Sequence, residues 1–305
     1  MSTPVQIKNL SKKYSGSKDF ALYKLSLHIN AGEVYGFLGS NGAGKSTTIR
    51  TLLGFLIPSS GSATILGKDI VRDSVAVKKS IGYLSGDVAL YGKATGKELL
   101  DYLCKLQPCK DLGYRKDLEK RFEAQLNKPI GELSKGNRQK IGILQAFMHQ
   151  PEVIILDEPT SGLDPLMQEA FYQTVLEHKA HGAAIFMSSH NLGEAERICD
   201  RIGVIKNGKL IHEQALGGDA QLATPRYHVV FASEASSKQA AGSASLHVLE
   251  HAGSRLTFIP KAPIADMLTA ISKYKIVSLE TEKPSLEDEF LSFYGASETH
   301  EAKHV

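Results

Sequence analysis

Apolar and polar residues alternate at the start of the chain, run together in its middle, and alternate again near its end. Val5-Gln6-Ile7-Lys8-Asn9-Leu10 and Leu25-Ser26-Leu27-His28-Ile29 have the two-residue period of half-buried strands. Glu33-Val34-Tyr35-Gly36-Phe37-Leu38 reads as a buried strand, and the stretch after Thr48 places Ile49, Leu52 and Leu53 at helical spacing. Further strands are predicted around Ala63-Thr64-Ile65-Leu66 and at Ile81-Gly82-Tyr83-Leu84, with a helix from Val75 to Ser80 between them. Val153-Ile154-Ile155-Leu156 and Ala183-Ala184-Ile185-Phe186-Met187 are apolar throughout, as parallel strands buried on both faces must be. Between Leu84 and Val153 the grain is helical instead. Thr95-Gly96-Lys97-Glu98 has capping-box spacing and opens a helix bearing Leu99, Leu100, Tyr102 and Leu103. A charged helix from Tyr114 to Leu126 follows, and Ser134 is placed to cap a third. The pattern predicts an α/β fold with a helical insertion over about residues 86–150.

Asn207-Gly208 between Arg201-Ile202-Gly203-Val204-Ile205 and Lys209-Leu210-Ile211 is a hairpin signal. Residues 1–213 then form one domain and 214–225, with Gly217, Gly218 and Pro225, a linker. A small α+β domain is expected over 226–296. Its strands are Tyr227-His228-Val229-Val230-Phe231, Leu246-His247-Val248-Leu249, Leu256-Thr257-Phe258-Ile259 and Ile276-Val277-Ser278-Leu279. One helix is expected from Ile264 to Tyr274 and another starting at Ser285, whose capping-box partner is Asp288; residues 297–305 are a polar tail. His247 and His251 fall on strand and turn, a spacing that does not bring them together for a metal.

Composition narrows this picture only a little. With 305 residues, one large and one small domain are expected, and 42% hydrophobic with 23% charged residues is ordinary globular usage. A net charge of +3 argues against a nucleic-acid partner. No apolar run approaches the ~20 residues of a membrane span, and the first residues lack a secretory pattern. The 3 cysteines, Cys104, Cys109 and Cys199, have no metal-ligand spacing and suit a reducing cytosol, with Cys104 read as a packing residue.

The candidate chemistry lies at the ends of the apolar strands. Gly39-Ser40-Asn41-Gly42-Ala43-Gly44-Lys45-Ser46-Thr47 is a GxxxxGK[ST] phosphate loop between strand and helix. Its backbone N–H groups and the unpaired N–H groups of the first helical turn converge on phosphate, and glycine lets the chain wrap that closely. Lys45 supplies charge to the β/γ-phosphates and Ser46 a hydroxyl for Mg²⁺. Asp157 and Glu158 close another strand. Successive side chains there point to opposite sides, so the two carboxylates take different work: Asp157 holds Mg²⁺ through its water shell and Glu158 polarises the attacking water. His190, after Ser188-Ser189 at a third strand end, fits a γ-phosphate contact. Tyr14 fits either surface packing or stacking on adenine.

In this order the motifs resemble the ATP-binding subunit of an ABC transporter. Leu133-Ser134-Lys135-Gly136-Asn137 stands where that family has its LSGGQ signature, Leu156-Asp157-Glu158-Pro159 matches its extended Walker B strand, Ser161-Gly162-Leu163-Asp164 its D-loop, and His190 its switch histidine. Tyr14 falls at the family's adenine-stacking aromatic, and the resemblance spans Val5 to His212. It implies the P-loop ABC ATPase fold and an ATP sandwich in which two such domains meet head to tail. Each phosphate loop would be capped by Ser134 and Gly136 of the other copy, giving a homodimer whose ATP-driven closure and reopening move membrane subunits. Two departures stand out: Lys135 and Asn137 within the signature, and Gly86 where the family carries a metal-completing glutamine. The phrase Pro284-Ser285-Leu286-Glu287-Asp288-Glu289-Phe290 resembles C-terminal extensions of ATPases paired with ABC-2 type export permeases, which implies export, a cytoplasmic position at the membrane and a separate permease. A soluble ABC ATPase of translation or repair would carry a second cassette or a long coiled-coil insertion instead.

Overall fold

Alternation in the first residues becomes an antiparallel layer. β1 (Val5–Lys13) pairs with β2 (Phe20–Ile29) on one side, and on the other with a strand supplied after the phosphate loop. The chain then enters the central sheet through β3 (Val34–Leu38), every residue of which is buried, and turns into α1 (Lys45–Leu52). β4 (Ser60–Ile65) and β5 (Lys68–Asp69) complete the first sheet in the order β2-β1-β4-β5, before α2 (Ser74–Lys79) and β6 (Ile81–Leu84). In this computed structural model residues 3–88, 90–107, 109, 111–216 and 225–282 are described. By its contacts the chain divides into two units, Met1–Leu216 and Gly217–Val305.

The helical insertion leaves the sheet after β6. It contains α3 (Gly96–Leu106), α4 (Leu112–Phe122), a short 3₁₀ turn at Ile130–Glu132 and α5 (Lys135–Phe147). Both halves of the Thr95/Glu98 capping box are formed, and Ser134 caps α5 by accepting from the Asn137 amide. One reading fails here. Cys104 and Cys109 are joined as a disulfide, with their Cα atoms 5.3 Å apart; Cys199 alone is free, and buried. Cys104 is therefore not simply a packing residue.

β7 (Val153–Asp157), α6 (Pro165–Ala180), β8 (Ala184–Ser189), α7 (Leu192–Ile198), β9 (Arg201–Lys206) and β10 (Lys209–Ala215) finish the first unit. The second sheet runs β10-β9-β3-β8-β7-β6, parallel except for the β10 edge. All residues of β7 and β8 are buried, which is why they lack alternation. A core of Ile7, Leu27, Phe37, Ile49, Ile65, Ile155 and Phe186 fills the space between the two sheets. Among the described residues no helix is long and apolar enough to cross a membrane.

In the second unit β11 (Arg226–Phe231), α8 (Glu234–Ala241), β12 (Leu246–Ala252), β13 (Arg255–Pro260), α9 (Ile264–Ile271) and β14 (Ile276–Glu282) follow a β-α-β-β-α-β order. The antiparallel sheet runs β12-β13-β11-β14, the split βαβ arrangement. Tyr227, Val229, Phe231, Leu256 and Phe258 point into its core with Met267 and Ile271. Sequence reading missed α8, because its Glu-Ala-Ser-Ser-Lys-Gln-Ala-Ala stretch has no apolar stripe and buries only Ser237 and Ala240. His247 and His251 both lie on β12, and His251 Nε2 is 2.7 Å from Ser237 Oγ. The linker glycines Gly217 and Gly218, the helix expected at Ser285 and the tail lie outside the described residues.

Candidate nucleotide site

β9, β3, β8 and β7 are neighbours, so their carboxyl ends share one edge of the sheet. In open α/β sheets this is where ligands bind. A cleft of about 440 Å³ opens there, lined among others by Ser40, Asn41, Gly42, Gly44, Lys45, Ser46, Thr47, Asp157, Glu158 and His190.

The phosphate loop needs its glycines for separate reasons. Gly42 and Gly44 have φ of +82° and +118°, in the left-handed region. At Gly39 an added Cβ would lie 2.6 Å from the Ile205 carbonyl oxygen, so the loop could not sit against β9. Gly44 caps α1 without a side-chain hydrogen bond, leaving the first-turn N–H groups of that helix free of a side-chain acceptor. Lys45 is 6% exposed and folds back over the loop, donating to the Gly39 carbonyl at 2.6 Å and lying 3.3 Å from Glu158 Oε1. A buried ammonium held by carbonyls and one carboxylate at the mouth of a glycine cradle is suited to a polyphosphate.

β7 and β8 place the acidic groups in register, with Asp157 opposite Ser188. Ser188 Oγ donates to Asp157 Oδ1 at 2.5 Å and accepts from the Glu158 amide at 3.2 Å, so one buried hydroxyl orients both residues. Glu158 has φ of +48°, a left-handed conformation that costs about 1–3 kcal/mol for a residue with a side chain. Its carboxylate is 2.6 Å from His190 Nδ1 through Oε2, on the opposite oxygen from Lys45. The strained residue is thus the one that joins Lys45 to His190. Behind this row Glu194 accepts from Ser189 Oγ at 2.9 Å and pairs with Thr160, tying the loop after β8 to the turn after β7.

Tyr14 follows β1 and lies at the margin; its hydroxyl is 3.3 Å from Thr47 Oγ1 and its ring is 41% exposed. Ser134 and Gly136 are not among the residues that line this cleft. Gly136 packs on the turn after β7, where an added Cβ would meet the Gly162 carbonyl at 2.8 Å, and Lys135 Nζ reaches Ser161 Oγ at 2.9 Å. Gly86 borders the cleft beside Asp157, and Asp87 lines it too. Sequence reading missed Arg50, Ala21 and Ser161 as lining residues and Ser188 as the link between Asp157 and Glu158. Ser188 had a usable signal in its place at a strand end, two residues before His190.

The family profile described as ABC transporter matches residues 22–161. One relative, the ABC transporter ATP-binding protein NatA of Bacillus subtilis, is 37% identical over 70% of this chain and 89% of its own length. This chain belongs to the ABC transporter family. It is an ATP-binding subunit, and its ATP hydrolysis is coupled to transport. The bacitracin transport ATP-binding protein BcrA of Bacillus licheniformis is 36% identical over 70% of each chain. Among solved structures, a dimeric ATP-binding cassette in a post-hydrolysis state, bound to ADP and Pi, superposes with a TM-score of 0.64 at 25% identity. That match covers 70% of this chain and 99% of the other. The ABC ATPase fold expected from the motifs is thus the one observed.

Proposed function

We propose that this cleft binds Mg-ATP, that Glu158 is the general base, and that the subunit powers export through a separate ABC-2 type permease. The observation that carries the reading is the meeting of Lys45, Asp157, Glu158 and His190 in one cleft at the phosphate loop. Residues 39–47 would wrap the triphosphate, Lys45 exchanging its carbonyl and carboxylate partners for phosphate oxygens. Release of Lys45 frees Glu158 Oε1 to accept a proton from water, while His190 keeps hold of Oε2 and orients the carboxylate. Tyr14 offers its exposed ring to adenine.

Ser46 and, through water, Asp157 would hold Mg²⁺; both line the cleft, and the Ser188 hydrogen bond keeps Asp157 aimed. When bound, the ion would neutralise charge on the β- and γ-phosphate oxygens. Gly86 offers no side chain, so a water takes the family glutamine's place; a second carboxylate from Asp87 would repel the γ-phosphate. Ser134 and Gly136 cap the cleft of a second copy in a homodimer, with Lys135 fixing the signature turn to Ser161.

The name of BcrA, a bacitracin transport ATP-binding protein, supports a transport reading, and the export direction rests on the resemblance of residues 284–290 to extensions of ATPases paired with ABC-2 type permeases. The subunit would then sit on the cytoplasmic face of the membrane, with the second unit as an accessory domain. The test is co-purification from membranes with a polytopic protein encoded beside it, followed by ATP-dependent transport in inverted vesicles. Recovery of the chain with no membrane partner, or transport in the import direction, would refute the export assignment.

A further inference from the structure

We propose that Cys104 and Cys109 are a reversible dithiol–disulfide pair, a modification site in the helical insertion that exchanges with low-molecular-weight disulfides of the glutathione class. Their environment differs from that of the remaining thiol. Cys199 is 7% exposed, and burial holds its thiol far above the ordinary range, which makes it inert. Cys104 and Cys109 are both half-buried and within bonding reach, with Cα atoms 5.3 Å apart. Arg115 on α4 places Nη1 3.7 Å from Cys104 Sγ. Asp101 and Glu119 hold that guanidinium in place, each at 2.8 Å. An N–H donor held beside the sulfur can hydrogen-bond a Cys104 thiolate, the species that attacks a disulfide. The site therefore has an attacking cysteine with a hydrogen-bond donor at its sulfur, a resolving cysteine beside it, and partial access from solvent.

The compartment comes from the reading under Proposed function; the cysteine chemistry does not depend on it. A cytoplasmic ATPase meets a thiol pool that reduces ordinary disulfides, so a bridge there is one that opens and closes. In the closing direction the Cys104 thiolate attacks an external disulfide, forming a mixed disulfide and expelling one thiolate. Cys109 then attacks the Cys104 sulfur and expels the second. Two protein thiols are oxidised, one external disulfide is reduced to two thiols, and the protein's two protons end on them.

The consequence follows from what the bridged loop contains. Gln107 lies between the two cysteines, and its Nε2 donates to the Lys78 carbonyl on α2 at 2.9 Å. The closed bridge fixes that link between the insertion and the α/β layer, and opening it releases the loop. Oxidation state thereby sets how firmly the insertion is tied to the core.

Differential alkylation and intact mass on the folded full-length chain test the proposal. After reduced glutathione, Cys104 and Cys109 should both be alkylated and Cys199 spared. After glutathione disulfide, both should be protected with a mass lower by two hydrogens and no glutathione added. Arg115→Leu should slow Cys104 alkylation several-fold, with circular dichroism confirming the fold, and Arg115→Lys should restore part of the rate. The proposal is overturned if both thiols stay free under glutathione disulfide, if a stable glutathione adduct accumulates instead, or if reduced glutathione cannot open the bridge. Steady-state ATPase of the two forms tests the consequence. A severalfold difference that vanishes in Cys104→Ser/Cys109→Ser is expected, and equal rates would overturn the link to the core. An inactive chain with normal thiol exchange would instead count against the ATPase reading alone.

Discussion

The six-stranded sheet of the first unit and the four-stranded sheet of the second solve different problems. In the first unit, parallel strands are buried on both faces, so their side chains serve the core and their carboxyl ends are left to present chemistry. In the second, an antiparallel sheet alternates: Tyr227, Val229 and Phe231 go inward while Arg226, His228 and Val230 take the other face. Its polar groups pair across strands, as His228 does with Thr257 at 3.0 Å and Glu282 at 2.9 Å, and among the described residues no group of three or more His, Cys, Asp or Glu is placed to hold a metal ion. Stability and chemistry are segregated along the strands of one sheet and divided between the faces of the other. Catalysis should therefore be sensitive to single atoms in the first unit and indifferent to the second.

The largest effect is expected from Glu158→Gln, which keeps size and hydrogen bonding but not basicity. Single-turnover phosphate release should fall by about 10²–10⁴-fold, the usual range for a general base, with ATP affinity nearly unchanged. Turnover at the normal rate would remove Glu158 from that role. Next, Lys45→Ala removes the buried ammonium and should weaken ATP binding roughly 10- to 100-fold by calorimetric titration. Unchanged affinity would break the assignment of the cradle.

A third prediction concerns stability away from the cleft. His178 is buried on α6, with Nε2 2.7 Å from the Tyr114 hydroxyl, and burial lowers its pKa to about 4. The folded chain thus excludes a proton that the unfolded chain binds below its ordinary value of 6.5. Stability from this group is complete above that value and declines as pH falls toward the folded value, by up to about 3 kcal/mol. Urea unfolding across this window should show a shallower slope in His178→Gln than in the parent; identical slopes would contradict it. The smallest effect is expected from truncation after Leu216, which should leave ATPase in solution within about twofold, since the site's groups lie in the first unit. A folded truncation that no longer binds nucleotide would break the comparison itself.

Much of the first unit was legible because its signals are local. The phosphate loop, the unbroken apolar run of β7 and the Thr95/Glu98 capping box each depend on neighbours in sequence. What escaped depends on distance through space. Ser188 orients Asp157 from 31 residues away, a pairing set by the β7–β8 register; its place at a strand end hints at a role but does not name the partner. The Cys104–Cys109 bridge depends on Cα atoms five residues apart coming within 5.3 Å, which spacing does not encode. α8 was invisible for a third reason: an Ala- and Ser-rich helix on a small sheet buries too little to carry a period.

The central claim is that the cleft at the strand ends is completed by ATP and by Ser134 and Gly136 of a second copy. Sedimentation velocity of Glu158→Gln, with and without Mg-ATP, addresses it directly, using Ser134→Arg in the same background as control. Mg-ATP should convert the Glu158→Gln chain from monomer to dimer, and Ser134→Arg should bind ATP yet remain monomeric. A chain that binds Mg-ATP and stays monomeric at every concentration, or a Ser134→Arg variant that dimerises normally, would contradict it.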